Sequence, residues 1–255
     1  MTVVRGRKRA ARQRADQNLG LRLLVALVAT FGVGVPVTLL ALLLRAKWGP
    51  LIRLDTSVAN ALHSLAVRDH WLVSVLKVAS TVFDPTVFRV VVTGLAVWLL
   101  VIGRRRLALW TLITIWGAAL LGWGLKVVVN RARPDLVDAV ATAPGRSFPS
   151  GHALNSVVGC GVLLLVLSPL LSRAWRLVAR VAAVLVVLLV GFARVGLGVH
   201  YLTDVVAGWT IGAAWLAVTA AVFEAWRRDV GLRPAVHELE AEPEIAEGVP
   251  EPRTG

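Results

Sequence analysis

The sequence predicts an all-α, polytopic membrane protein: six transmembrane helices in a bundle, with amphipathic interfacial helices between the first two spans. Three observations carry that reading. Hydrophobic residues make up 57% of the chain and mean hydropathy is +0.72, too apolar for an ordinary soluble domain. The apolar residues come in long blocks, which approach or exceed the ~17–25 residues needed to cross a bilayer as a helix. Most of these blocks lack the polar face of helical period that a large soluble helical core would require. Basic residues, finally, gather in alternate connections between the blocks, as they do on the inner side of a membrane.

Taken in order, residues 1–20 form a basic tail (Arg5, Arg7, Lys8, Arg9, Arg12 and Arg14), expected in the cytoplasm and able to touch anionic headgroups. The first span is placed at 21–44. It is longer than a signal-peptide core and has no small-x-small cleavage site, so it is read as retained, with a kink expected at Pro36. Residues 45–85 are mixed. Val58, Leu62, Leu65 and Ala66 make an approximately helical stripe, and Asp69 is suited to cap a second helix running through Leu76. Two amphipathic helices are expected here, at the interface or packed on the bundle, with Trp48 and Trp71 at headgroup depth. His63 and His70 are read as structural or solvated. Further spans are placed at 86–102, 107–129, 151–171, 177–195 and 203–226, so that residues 21–228 form one transmembrane domain. Residues 229–255 carry Glu238, Glu240, Glu242, Glu244, Glu247 and Glu251 among prolines and are read as a disordered acidic tail.

With the N-terminus inside, every inner segment is basic. Arg104, Arg105 and Arg106 fall in one inner loop, Arg173 and Arg176 in the next, and Arg227 and Arg228 after the last span. The expected topology is therefore six spans with both termini cytoplasmic, in a plasma membrane. The net charge of +13 is accounted for by this distribution, which leaves no folded basic domain to grip nucleic acid. Cys160 is the only cysteine, allows no intramolecular disulfide, and reads as a small buried hydrophobe.

Loops 130–150 and 194–203 then share the outer face, and both carry chemistry. Arg194, His200 and Asp204 stand between two apolar runs, where such residues are costly. If the second part is helical, His200 and Asp204 share a face, and the carboxylate can orient one ring nitrogen and leave the other free. Gly196 and Gly198 permit a tight turn behind Arg194. The other loop brings Lys126, Arg133 and the run Pro149-Ser150-Gly151-His152. Ser150 is placed to cap the next helix, whose first amides form an anion site. Three cations, a capped helix start and two histidines suit a tetrahedral oxyanion, with one histidine attacking and the other protonating the leaving oxygen. A metal site built from the two histidines and Asp204 is the competing reading; three surrounding cations would repel a divalent ion, so no metal or other cofactor is expected. Arg131 and Arg146 are read as solvated loop charges or headgroup contacts. Lys126 alone would read as snorkelling from its span, and Asp204 alone as a helix cap, a role Thr203 could take instead.

Lys126-x6-Arg133-Pro134, Pro149-Ser150-Gly151-His152 and Arg194-x5-His200-x3-Asp204 resemble, in order and spacing, the three signature motifs of the type 2 phosphatidic acid phosphatase (PAP2) superfamily. The continuation to Gly208 is similar too, and the resemblance covers about residues 85–225. It implies that His200 is a nucleophile forming a phosphohistidine, that Asp204 orients it, and that His152 protonates the leaving group and then activates water. Lys126, Arg133, Ser150, Gly151 and Arg194 would hold the phosphate oxygens, without a metal. The family usually has serine where this chain has Ala193, which removes one possible hydrogen bond of about 0.5–1.5 kcal/mol and is expected to tune the site rather than abolish it.

The expected function is a membrane lipid phosphate phosphatase acting at the outer face, on a phosphatidic acid-like lipid or an undecaprenyl-type polyprenyl diphosphate. Phosphoryl or headgroup transfer through the same phosphohistidine is an alternative, as is a non-catalytic transporter or sensor that uses the cations to hold an anion. The intact histidine pair argues against the last. Vanadate-dependent haloperoxidases have a similar pocket, but they are soluble.

Overall fold

The computed structural model describes residues 28–136 and 139–229. The basic tail 1–20, the start of the first span and nearly all of the acidic tail lie outside the described residues. Every regular element within them is helical. A π-helical turn, Val28–Gly34, leads into α1 (Val35–Arg45). Pro36 sits at that junction, so its missing N–H falls where the hydrogen-bond pattern changes and no straight helix has to absorb a kink. The following helices are α2 (Gly49–Arg68), α3 (His70–Val82), α4 (Pro85–Val101), α5 (Arg105–Val129), α6 (Gly151–Leu167), α7 (Arg173–Gly196) and α8 (Leu202–Asp229).

Among the described residues, five helical segments are long and apolar enough to cross a membrane: His70–Val101 (α3 with α4), α5, α6 with its 3₁₀ extension to Leu170, α7 and α8. A sixth span arises if Phe31–Arg45 and Gly49–Arg68, bent 88° against each other, count as one. The multi-pass helical bundle expected from the sequence is therefore present. α3 is not merely interfacial, since it runs into α4 across Phe83 and Asp84. Asp69 caps α3 as expected, its Oδ1 accepting from the amides of Trp71 and Leu72 at 2.9 and 3.2 Å. Large apolar side chains cover the outside of the bundle: Leu120, Trp123, Val128, Leu177 and Leu185 are all exposed. In water such a surface would be an aggregation liability; in lipid it costs nothing.

α6 is the centre of the bundle and packs against α8, α7, α5 and α4. Leu154, Val158, Val162 and Val166, one helical turn apart, are fully or nearly fully buried. The closest approach is to α8. A Cβ added at Gly208 would lie 2.7 Å from the Ser150 carbonyl oxygen, and one at Gly212 would lie 2.9 Å from that of Leu154. Small residues four apart thus let the two backbones meet, as is common between membrane helices. A Gly208→Leu substitution should push α8 away from the start of α6, costing about 1–3 kcal/mol. It should also lower activity by disturbing Ser150, and thermal unfolding in detergent together with an activity assay would measure both.

Candidate active site

The polar ends of these helices converge at one end of the bundle. α5 ends with Asn130 in the left-handed conformation (φ 54°), which releases the chain into the 130–150 loop. α7 ends in a turn in which Gly198 takes φ +70°, and the amides of Val199 and His200 both return to the Arg194 carbonyl at 3.2 Å. This turn fixes His200 beside Arg194 and needs the freedom of Gly198. α8 begins at Leu202, so His200 precedes the helix instead of lying on it. The histidine–aspartate contact is nevertheless made: His200 Nδ1 is 3.5 Å from Asp204 Oδ2, and the same Oδ2 accepts the Tyr201 amide at 3.0 Å. Asp204 therefore caps its own helix and faces the histidine at once.

The second ring nitrogen of His200 points the other way, 3.2 Å from Arg133 Nη1. With a proton on Nδ1 toward the carboxylate, Nε2 presents its lone pair to the cations. His200 is 1% exposed. Burial pushes its pKa down to about 4 against the opposing pull of the Asp204 hydrogen bond, and the nearby Arg194 and Arg133 charges add to the depression. The imidazole is thus neutral through the physiological range. Because the unfolded ring titrates near ~6.5, the unfolded state takes up a proton that the folded state refuses. This contribution to stability is intact above ~6.5 and is lost as pH falls toward 4. Melting temperature should accordingly drop over that window, and a His200→Gln protein should show a shallower drop; melting curves between pH 4 and 7.5 measure it.

Ser150 caps α6, its Oγ accepting the Ala153 amide at 3.4 Å, while its own amide donates to the Asp204 carbonyl at 2.9 Å. The second and third motifs are tied together there. Among the described residues, the amides of Gly151 and His152 have no backbone acceptor, and the space where a Gly151 side chain would stand is open. His152 Nε2 lies 3.3 Å from Asp84 Oδ2, and Asp84 is itself fixed by capping α4, accepting the Thr86 amide at 2.7 Å. His152 interacts electrostatically with both Arg194 and His200.

The cations are not equivalent. Arg133 gives Nε to the Gly145 carbonyl (3.1 Å), Nη2 to that of Pro144 (2.9 Å) and Nη1 to that of Val199 (2.6 Å). Of its five N–H groups, three hold backbone and a fourth meets His200, so it clamps the two outer loops as much as it offers charge. Burial lowers its pKa, with Asp204 acting in the opposite sense. Lys126 donates to the Arg146 carbonyl at 2.7 Å and feels Arg133, Asp204 and Arg194. Arg194, 7% exposed, donates Nη1 to Ser80 Oγ at 2.6 Å, while its buried Nε has no hydrogen-bond partner among the described residues. It is the cation with the most donor capacity left for an anion.

Arg131 overturns the reading of a solvated charge. Its side chain is 10% exposed. Nη2 pairs with Asp55 at 2.6 Å, Nη1 pairs with Asp204 Oδ1 at 2.7 Å, and the guanidinium stacks over Tyr201 at 4.0 Å. Asp55, wholly buried, also accepts the Thr203 amide at 3.0 Å and hydroxyl at 2.5 Å. A loop arginine becomes buried here because two carboxylates and a ring face neutralise and cover it. Arg146 is exposed, as expected. Asp55, Ser80 and Asp84 were not picked out from the sequence. Asp55 carried a readable signal: it stands in helical register with Ala59, His63 and Ala66, all buried on α2. His63 is thus structural, and His70 is exposed. Ala193 is buried among Ala66, Val73, Leu76, Leu197 and Val199, an apolar setting. Cys160 is partly buried in α6, and no group of metal-ligating side chains occurs among the described residues.

The chain is similar to known proteins. Phosphatidylglycerophosphatase B of Bacillus subtilis is 41% identical over 96 residues, 36% of this chain and 46% of that protein. Undecaprenyl-diphosphatase of Sulfolobus acidocaldarius is 31% identical over 125 residues, 47% of this chain and 56% of that protein. The matched segments thus span about half the length of these curated relatives. A transmembrane PAP2-type phosphatidylglycerolphosphate phosphatase from Bacillus subtilis, solved by crystallography, superposes with a TM-score of 0.58 at 25% identity, covering 73% of this chain and 94% of that one. The family model of the PAP2 superfamily matches residues 107–228, a stretch that contains all three motifs and the capping and pairing interactions that join them. The resemblance to the PAP2 superfamily read from the three motifs is thus matched by the family model over residues 107–228 and by a solved structure of that type.

Proposed function

We propose that this protein is a membrane lipid phosphatase that removes phosphate from a lipid phosphomonoester or diphosphate through a phosphohistidine, without a metal. The observation that carries the reading is His200: buried and neutral, it has one nitrogen toward Asp204 and the other among Arg133 and the nearby Arg194. In the first step the Nε2 lone pair attacks phosphorus, the bond to the lipid oxygen breaks, and His152 gives that oxygen its proton. In the second, His152 takes a proton from water, the water oxygen attacks phosphorus, the P–N bond breaks, and inorganic phosphate leaves. Arg194 and the first amides of α6 lie where equatorial charge would develop, Lys126 and Arg133 add positive potential, and the Ser150 hydroxyl keeps a proton to donate. Asp204 stabilises the charge that forms on His200.

The relatives' names supply the substrate classes: a phosphatidylglycerophosphate-type monoester and an undecaprenyl-type diphosphate. An apolar tail would stay in lipid beside the exposed side chains of the bundle while the headgroup enters between the loops. The basic segments expected inside the cell support an outer-face position for this end of the bundle in a plasma membrane, with both termini cytoplasmic. The test is phosphate release by purified protein from phosphatidic acid, phosphatidylglycerophosphate and a polyprenyl diphosphate, with chelator present. Turnover of at least one lipid, lost in His200→Ala, is expected. Binding without release would overturn the reading, and label appearing on an added alcohol in place of water would reassign the reaction to transfer.

A further inference from the structure

On the other side of Arg131 lies a cavity of about 690 Å³ that takes no part in the chemistry above. Arg45 and Lys47 at the end of α1, Arg53 near the start of α2, and Arg131 supply its charge, while Leu44 and Ile52 are among its apolar lining. No acidic residue lines it among the described residues. Two of the four cations are already committed: Arg131 to Asp55 and Asp204, and Arg45, whose Nη1 donates to the Val128 carbonyl at 3.0 Å. Lys47 and Arg53 are exposed and, among the described residues, have no ion-pair partner. The Arg45–Val128 bond joins α1 to α5, and on these two helices Leu39, Leu42, Val127 and Val128 present exposed apolar side chains.

We propose that this cavity binds the phosphate-bearing headgroup of an anionic phospholipid, at a site separate from the catalytic pocket. The volume lies within the range of small-molecule sites, ~300–1,000 Å³. Its uncommitted charge is positive and unopposed, as a phosphodiester requires. The exposed apolar side chains of α1 and α5 give acyl chains a surface to lie on, which a free phosphate would not use. Ordinary headgroup attraction to surface lysine and arginine would be diffuse and unsaturable; a concave site makes it stoichiometric. The inference stands on the cavity and does not depend on the phosphatase reading.

The experiment uses the full chain in a neutral detergent, with retained lipid counted by native mass spectrometry. Phosphatidylglycerol is the probe, phosphatidylcholine the zwitterionic control and inorganic phosphate the competitor. The variant is Lys47→Gln with Arg53→Gln, which leaves Arg45 and Arg131 untouched. Saturable retention of one phosphatidylglycerol is expected, weakened about 10–30-fold in the variant. Phosphatidylcholine should not be retained, and inorganic phosphate should compete only weakly. The variant's melting temperature should match that of the parent. Equal retention by parent and variant would overturn the site, including the case in which the lipid enters the catalytic pocket instead. Equal competition by inorganic phosphate would overturn the lipid as its occupant.

Discussion

Arg131→Ala should lose about 3–5 kcal/mol of stability, the range observed when one partner of a buried ion pair is removed. The guanidinium stands between Asp55 and Asp204, both with no exposed side-chain surface. Without it, Asp55 remains buried with no ion-pair partner, and Asp204 loses one of the contacts that hold it toward His200. Thermal unfolding in detergent should show the destabilisation. Activity measured well below the new melting temperature should still be reduced, because Asp204 is freer. Adding Asp55→Asn should recover part of the stability by removing the stranded charge, and recover little of the activity. An Arg131→Ala protein that melts like the parent would mean that the pairs are not made in the membrane.

The histidine pair should give the largest losses of rate. His200→Ala should lower phosphate release about 10⁴-fold or more, since it removes the atom that forms the covalent bond. His152→Ala should cost about 10²–10⁴-fold, the usual worth of a positioned acid–base group. The two variants separate on a substrate with a good leaving group, such as an aryl phosphate with an acyl tail. There the first step needs little help from an acid, so His152→Ala should form phosphoenzyme faster than it hydrolyses it, giving a burst and an acid-labile adduct on the protein. His200→Ala should give neither. Turnover that persists in His200→Ala would sink the mechanism.

The membrane helices were legible because lipid imposes a length and a composition on each of them, and every one of the last five lies within a few residues of its expected position. The cap residues Asp69 and Ser150 were legible for a local reason, since a cap and the amide it serves are neighbours in sequence. What was hidden is what depends on partners far along the chain. Arg131 looked like a loop charge because Asp55 and Asp204 are 76 and 73 residues away. Arg133 looked like a free cation because backbone carbonyls leave no mark in a sequence. Ser80 and Asp84 lie outside the stretch matched by the family model, yet they contact Arg194 and His152, so two of the groups that hold the site's side chains come from a part of the chain with no motif to announce it.

The bond between Asp55 and Thr203 spans 148 residues, and it bears on how the protein is made. Chains of this kind emerge from the N-terminus, so α2 is present long before α8. Until the final helix is threaded in, the Asp55 carboxylate can meet Arg131 but lacks both hydrogen bonds from Thr203. A chain stopped short of α8 would lack more than a nucleophile's partner: its Asp55 would keep Arg131 but lose the amide and hydroxyl of Thr203, so α2 would be held at this end through Asp55 by one contact where the finished fold has three.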